Sequence, residues 1–310
     1  MARLLLSEGY AVVGITRDLD KARAQIGDDL AEQLTVAAFD LSDPTAFQRC
    51  IEWHRPAEVY NFGALSSGAR MFENPIAIGE TNGVAVTRWL EAIRVVDPSI
   101  RFCQASSSEL FGETNESPQT EGTPFRPRSP YGAAKLYAHN MLGLYRKHHG
   151  IHACSAILFN HESPRRGTEF VTRKVTSAAA AIALGGSEKL VLGDTMARRD
   201  WGFAGDYVRA MWLMAQQHSA DDYVIATGIT HSIHDLCQIA FAHVGLDFRE
   251  HVRPDPSTAR PPESIQLTGD SRKARERLNW HPKTAFKPMI EAMVEADLER
   301  LRTNRQLKEL

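Results

Sequence analysis

The sequence predicts an α/β fold in which a doubly wound parallel sheet carries a smaller, interleaved C-terminal part. Three observations lead there. The segments AVVGIT (11–16), LTVAAFDL (34–41), AEVYNFGA (57–64), IRFCQASS (100–107) and HACSAILFN (152–160) are apolar along nearly their whole length. Strands of that kind are covered on both faces. Helical patterns separate them, the alternation that builds parallel sheets. Finally, Arg17, Asp40, Ser66, Ser107 and Glu109 each follow an apolar run. Open parallel sheets bind ligands beyond the carboxyl ends of their strands, where such residues cluster.

In chain order, residues 2–8 read as a helix stopped by Gly9. The five apolar strands follow, with helices between them, and residues 1–160 form a dinucleotide-binding unit. Beyond it, HESPRRGTEF (161–170) reads as a loop and 170–185 as an Ala-rich helix. KLVLGD and DYVIATG read as strands, and parts of about 189–228 return to the first sheet. Residues 249–265, rich in Pro and Arg, read as an ordered loop or lid. Residues 285–304 read as an amphipathic closing helix. Residues 161–310 are assigned mainly to substrate binding, woven into the first unit without a linker.

Composition limits the function classes. A chain of 310 residues can bury a large core and often divides in two. Its 43% hydrophobic and 24% charged content is ordinary for a globular protein. A net charge of −2 gives no broad attraction to nucleic acid or acidic membranes. No apolar run reaches the roughly 18 residues of a membrane span. MARLLLSEGY is too short and too acidic for a signal peptide, so a cytoplasmic protein is expected. Cys50, Cys103, Cys154 and Cys237 lack metal-like pairing and read as free thiols, mostly core filler. The twelve histidines show no zinc spacing, and no metal is expected.

The chemistry is carried by QASSSELFGE (104–113) and PRSPYGAAKLY (127–137). The second holds the sequence's only Tyr-x-x-x-Lys, Tyr131 and Lys135. Four apart on a helix, the two share a face. A free phenol is a poor base at neutral pH, and a nearby cation favours its ionised form. Ser107 and Glu109 alternate at the end of an apolar run, so both are expected on one side of an extended segment. Hydroxyl, carboxylate, phenol and ammonium together suit proton transfer coupled to redox chemistry.

With FNHESPRRG (159–167), FVTRK, RRDWGFAGDYVRAMW (198–212), DDYVIATG, RPPE and LNWHP, these blocks resemble the extended short-chain dehydrogenase/reductase superfamily. Within it they resemble the GDP-mannose 4,6-dehydratase family, from Ala2 to about Thr303. The resemblance implies a Rossmann-type fold and catalysis by Ser107, Glu109, Tyr131 and Lys135. It implies NADP held by Arg17, Asp40, Leu41, Phe62, Gly63, Ala64, Ser66, Tyr131, Lys135, His161 and Arg166. GDP-mannose would meet Ser108, Glu109, Asn160, Arg166, Arg199, Arg260 and Glu263. A homodimer or homotetramer is implied, with a product feeding glycan or polysaccharide synthesis.

By this resemblance Tyr131 deprotonates the sugar 4-hydroxyl as hydride leaves carbon 4 for NADP. Lys135 lowers the Tyr131 pKa and binds the nicotinamide ribose. Glu109 removes the carbon-5 proton, water leaves carbon 6, and hydride returns there. The family usually has Thr where this chain has Ser107. It has a tyrosine contact where Ala77 aligns. Arg17 suits a 2′-phosphate, and its neighbour Asp18 weakens that preference.

The Gly-rich turn that meets a pyrophosphate does not occur in this sequence. The expectation is either that the sequence starts downstream of that turn or that a first strand has been lost. Such a chain should hold the cofactor poorly and be unstable. Two other readings stay open: another nucleotide-sugar dehydratase, epimerase or reductase, and a non-catalytic homologue.

Overall fold

The computed structural model describes residues 1–66, 72–255 and 266–306. Its helices are α1 (Ala2–Ser7), α2 (Leu19–Gln25), α3 (Asp28–Ala31), α4 (Ala46–His54), α5 (Pro75–Gly79), α6 (Ala85–Val96) and α7 (Pro130–His149). They continue as α8 (Val171–Ala183), α9 (Ala204–Gln216), α10 (Ile233–His243), α11 (Phe248–His251), α12 (Arg272–Leu278) and α13 (Phe286–Gln306). The strands are β1 (Val12–Thr16), β2 (Leu34–Ala38), β3 (Glu58–Asn61), β4 (Arg101–Ala105), β5 (Ala153–Leu158) and β6 (Asn160–Glu162). They end with β7 (Leu190–Leu192), β8 (Arg198–Phe203), β9 (Asp222–Ile225), β10 (Thr230–Ser232) and β11 (Val252–Pro254).

The fold is α/β with parallel sheets, and all five apolar runs contain strands in the expected order. The four-stranded sheet runs β3-β4-β5-β9, parallel throughout. All six residues of β5 are buried, as a strand covered on both faces requires. Phe47, Ile51, Trp89, Leu90, Ile93 and Phe102 build a core where α4 and α6 cover the sheet.

The parallel strands of the first unit fall into two sheets. β1 and β2 pair only with each other, parallel, and no pairing joins β1 to β3 among the described residues. Nor is β1 covered on both faces: Val13 and Ile15 are 39% and 38% exposed. An apolar run identifies a strand but not which of its edges is paired.

Two further assignments change. HESPRRGTEF is not all loop, because its start lies in β6, which pairs with β8. β8 also pairs with β10, and both strands escaped the sequence reading. Within 249–265, residues to His251 end α11 and Val252–Pro254 form β11, paired with β7. Buried Asp200 accepts from the N–H groups of Thr227, Gly228 and Gly269, and Asp206 from those of Lys283 and Thr284. The RDWG and DYVRAMW blocks therefore fix connections between elements. Cys103, Cys154 and Cys237 are buried, as core filler should be. No helix among the described residues is long and apolar enough to cross a membrane.

Candidate active site

Tyr131 and the Ser107–Glu109 turn meet because glycine lets backbone approach backbone. Beyond β4, Ser107 caps a single 3₁₀ turn over Ser108–Leu110 and accepts from the Glu109 N–H at 3.2 Å. Gly112, at φ +50°, follows; a Cβ there would stand 2.0 Å from the Arg126 carbonyl oxygen. The turn thus lies flat on the next segment, with Arg126 N–H donating to Leu110 O at 3.0 Å and Glu113 N–H to Arg126 O at 2.9 Å. Helix α7 then begins with Ser129 as N-cap, accepting from Gly132 N–H at 3.1 Å, and Pro130 in the first turn. A Cβ on Gly132 would be 2.7 Å from the Glu109 carbonyl oxygen. The turn carrying Ser107 and Glu109 therefore touches the helix start carrying Tyr131. Strand alternation, the arrangement expected from the sequence, is not what places Glu109; the 3₁₀ turn is.

Burial dominates the electrostatics of Tyr131 and Lys135. Tyr131, 8% exposed, is pushed up to about 12, first by burial. The Ser107 hydroxyl and the Arg166 charge draw it down, while Glu109 pushes it up. Lys135 lies one turn further along α7. Its Nζ donates to Ala105 O at 2.8 Å and stands 5.8 Å from the centre of the Tyr131 ring. Burial, at 2% exposure, brings Lys135 itself down to about 8.

The nucleotide side gathers at the carboxyl ends of β1, β2 and β3. Arg17 is exposed beyond β1, and its charge helps lower the Asp40 carboxyl beyond β2, after the hydrogen bonds from Ser42. Asp18 caps α2, accepting from Lys21 N–H at 2.9 Å, so its carboxylate is committed to the helix. Leu41 receives Arg88 at its carbonyl and packs near Gly63, where a Cβ would meet its side chain at 3.1 Å. Phe62 and Ser66 are exposed, and Ala64 is partly buried. Ala77 lies in α5, its N–H bonded to the Asn74 cap.

The sequence reading missed what shapes this turn. Asn82, fully buried, binds both the N–H (2.8 Å) and the carbonyl (3.0 Å) of Leu65. Asn61 accepts from Gly63 N–H and donates to Gln104. An Asn before a glycine, within the helical run 76–96, was the available signal for Asn82.

After β5, Asn160 and His161 lie in β6, opposite Trp201 and Gly202 of β8. His161 Nδ1 is 2.9 Å from Phe159 O and its ring packs against Tyr207, with burial lowering its pKa. Arg166 stacks 3.5 Å over the Phe170 ring and pairs with Glu162 at 3.1 Å. Glu162, 2% exposed, also accepts from Thr172 at 2.6 Å; burial nonetheless raises its pKa. The Arg166 charge is a minor cause lowering the pKa of both Tyr131 and His161. Arg199 lies on β8, donating to Arg198 O at 2.6 Å, two residues before the Trp201–Asn160 pair. Arg260 and Glu263 lie outside the described residues.

A buried Tyr-x-x-x-Lys at a helix start, facing a Ser-Ser-Glu turn at the carboxyl ends of parallel strands, defines an extended short-chain dehydrogenase/reductase. Two solved structures share this fold: dTDP-glucose 4,6-dehydratase from Bacillus anthracis in complex with NAD (TM-score 0.82, 18% identity, 97% of this chain and 92% of that one), and RMD from Pseudomonas aeruginosa complexed with NADPH (TM-score 0.79, 20% identity, 94% and 100%). The chain belongs to the GDP-mannose 4,6-dehydratase family, whose profile, GDP-mannose 4,6 dehydratase, matches residues 1–293. GDP-mannose 4,6 dehydratase 1 of Arabidopsis thaliana is 43% identical over 311 residues, covering 96% of this chain and 86% of that protein.

Proposed function

We propose that this chain converts GDP-mannose to GDP-4-dehydro-6-deoxymannose, with Tyr131, Lys135, Glu109 and Ser107 as its working groups. The contact between the Glu109 turn and the start of α7 carries the assignment, since it puts a phenol, a hydroxyl and a carboxylate together. Tyr131 accepts the proton of the sugar 4-hydroxyl. Ser107 hydrogen-bonds Tyr131 and favours the ionised phenol against the cost of burial. Once carbon 4 is a ketone, the proton on carbon 5 is acidic. Glu109 removes it, and the carbon-6 hydroxyl departs as water. A nicotinamide dinucleotide held by Tyr131, Lys135 and His161 would supply the redox capacity for oxidation at carbon 4 and reduction at carbon 6, with a proton returned to carbon 5 from the protein.

The residues present fit that group at both ends. The Asn82-held turn at 62–66, with Asp40, Leu41 and Arg17, suits the adenosine end. Tyr131, Lys135 and His161 suit the nicotinamide end. The exposed guanidinium of Arg17 favours NADP over NAD, and the commitment of Asp18 to helix capping removes the objection to it. Arg166 and Arg199 are read as contacts to the diphosphates, Ser108 and Asn160 as contacts to the sugar, and Arg260 and Glu263 as contacts to the GDP moiety. Residues 1–160 serve the cofactor and 161–310 mainly the substrate. Exposed Val95, Tyr137 and Leu144 on α6 and α7 support self-association to a dimer or tetramer.

Incubation with GDP-mannose and NADP should yield a product lighter by one water, identified by mass and NMR. An isomer of unchanged mass would overturn the dehydratase reading in favour of an epimerase. Tyr131→Phe should lower turnover by about 100- to 10,000-fold. Product formed by Glu109→Gln at the unsubstituted rate would remove Glu109 as the base at carbon 5.

A further inference from the structure

The turn that carries Arg166 is held from the far end of the chain. Asp297 lies in α13 and is 2% exposed. Its carboxylate takes the Arg173 Nε at 2.7 and 2.9 Å, and Arg173 Nη2 stands 2.6 Å from Oδ1. It also accepts from Thr176 Oγ1 at 2.8 Å and from Arg300 Nη1 at 3.1 Å. Both arginines then spend another N–H group on the Arg166 turn. Arg173 Nη1 donates to Pro164 O at 3.0 Å and Arg166 O at 2.8 Å, while Arg300 Nη2 donates to Pro164 O at 2.5 Å.

An ion pair between α8 and α13 would need only the first set of contacts. The second set fixes the two carbonyls on either side of Arg165. The turn is closed by its own bond, Arg166 N–H to Ser163 O at 2.9 Å. With the backbone fixed there, the Arg166 guanidinium is directed onto Phe170 and Glu162.

We propose that Arg300 is a positioning residue: oriented by Asp297 and bound to Pro164 O, it holds the Arg166 turn so that the guanidinium is ready for the phosphates of the ligand. The proposal rests on reading Arg166 as a phosphate contact. Arg300 is the point at which to test it. Its side chain is 42% exposed, and removing it leaves the Arg173–Asp297 pair intact.

The experiment compares the full chain with Arg300→Ala, Arg300→Lys, Arg166→Ala, and the double variant carrying alanine at both positions. For each, kcat and KM with GDP-mannose are measured, together with calorimetric Kd values for GDP and for NADP and the melting temperature. Arg300→Ala should weaken one of the two ligands, and raise KM where that ligand is GDP, by about five- to tenfold. That corresponds to about 1–1.4 kcal/mol, the scale of one hydrogen bond. The kcat should stay within about twofold and the melting temperature nearly constant. Arg300→Lys, which keeps a donor for Pro164 O, should recover most of the affinity. The double variant should bind no worse than Arg166→Ala, because both changes act through one group.

Unchanged affinities in Arg300→Ala beside weakened affinity in Arg166→Ala would overturn the positioning role alone. Unchanged affinities in Arg166→Ala would overturn the phosphate-contact reading and the proposal with it. Strictly additive losses would show that Arg300 acts elsewhere, against the proposal.

Discussion

At the scale of single residues, the site is held together against the cost of burying charge. Lys135 shows this most plainly. Burial disfavours its ammonium form and lowers its pKa from 10.5 to about 8. The folded protein therefore binds this proton less tightly than the unfolded chain does. At neutral pH both states are charged, and the full penalty, about 3 kcal/mol at 1.36 kcal/mol per pKa unit, falls on the folded state. As pH rises through about 8 the folded lysine becomes neutral, and the penalty fades until the unfolded chain also loses the proton near 10.5. Lys135→Met should accordingly stabilise the cofactor-free protein at pH 7 by about 1–3 kcal/mol, less whatever the lost bond to Ala105 O contributed. The advantage should shrink between pH 8 and pH 10, and turnover should be lost. Denaturant melts of both proteins across that range check the sign. Arg17 gives a second residue-scale prediction. If it grips a 2′-phosphate, Arg17→Ala should weaken NADP by about tenfold, as expected for a charged contact of about 1.5–3 kcal/mol, and leave NAD unchanged. Calorimetry with both nucleotides decides it.

At the scale of elements, the joint between the 3₁₀ turn and α7 is the part that tolerates least. A Cβ on Gly132 would meet the Glu109 carbonyl oxygen at 2.7 Å and Pro127 Cβ at 3.0 Å, leaving no room for a methyl group. In most helices Gly→Ala is favourable by about 1 kcal/mol. Here the sign should reverse, because the added Cβ would push the Glu109 turn off the helix. Gly132→Ala should lower stability by about 1–3 kcal/mol and reduce kcat more than KM, since Tyr131 and Glu109 separate. Gly143→Ala, later in α7 with only the end of the Arg146 side chain near its added Cβ, is the control and should be neutral or stabilising. The joint explains what the sequence disclosed. Tyr131 and Lys135 were legible from helix spacing, and the strand ends were legible from apolar runs. The Ser107–Glu109 geometry was misread, because a single 3₁₀ turn leaves no periodicity. Arg173 and Asp297 were passed over, because their buried ion pair between α8 and α13 links residues too far apart in sequence to form a pattern. Asp200 and Asp206 lie within blocks that carried the resemblance, yet their observed work is to tie loops together.

At the scale of the whole molecule, the break between the β1–β2 pair and the four-stranded sheet governs how stability is distributed. The strands β4 and β5 have neighbours on both edges and lie under helices on both faces. β1 has a single strand partner, and its Val13 and Ile15 remain partly exposed. The pair is tied to the rest by contacts around it: Tyr10 Oη donates to Glu58 at 3.2 Å and accepts from Trp212 at 3.1 Å, while Phe39 stacks on Trp89. Two-stranded units are marginal without further packing, and cooperative units with few buried contacts open at lower free energy than the core. The amides of β1 and β2 should therefore exchange with solvent well before those of β4 and β5, by roughly two orders of magnitude or more if local opening costs about 3 kcal/mol less than global unfolding. Dinucleotide bound along the ends of β1, β2 and β3 would stabilise the pair selectively, since mass action protects what the ligand touches. Saturating NADP should then slow exchange in 12–16 and 34–38 more than in 153–158. Peptide-resolved hydrogen exchange with and without NADP measures both effects. Equal protection of all four strands in the free protein would mean that the break in pairing does not weaken the β1–β2 unit. Protection confined to β4 and β5 on adding NADP would place the nucleotide away from Arg17 and Asp40.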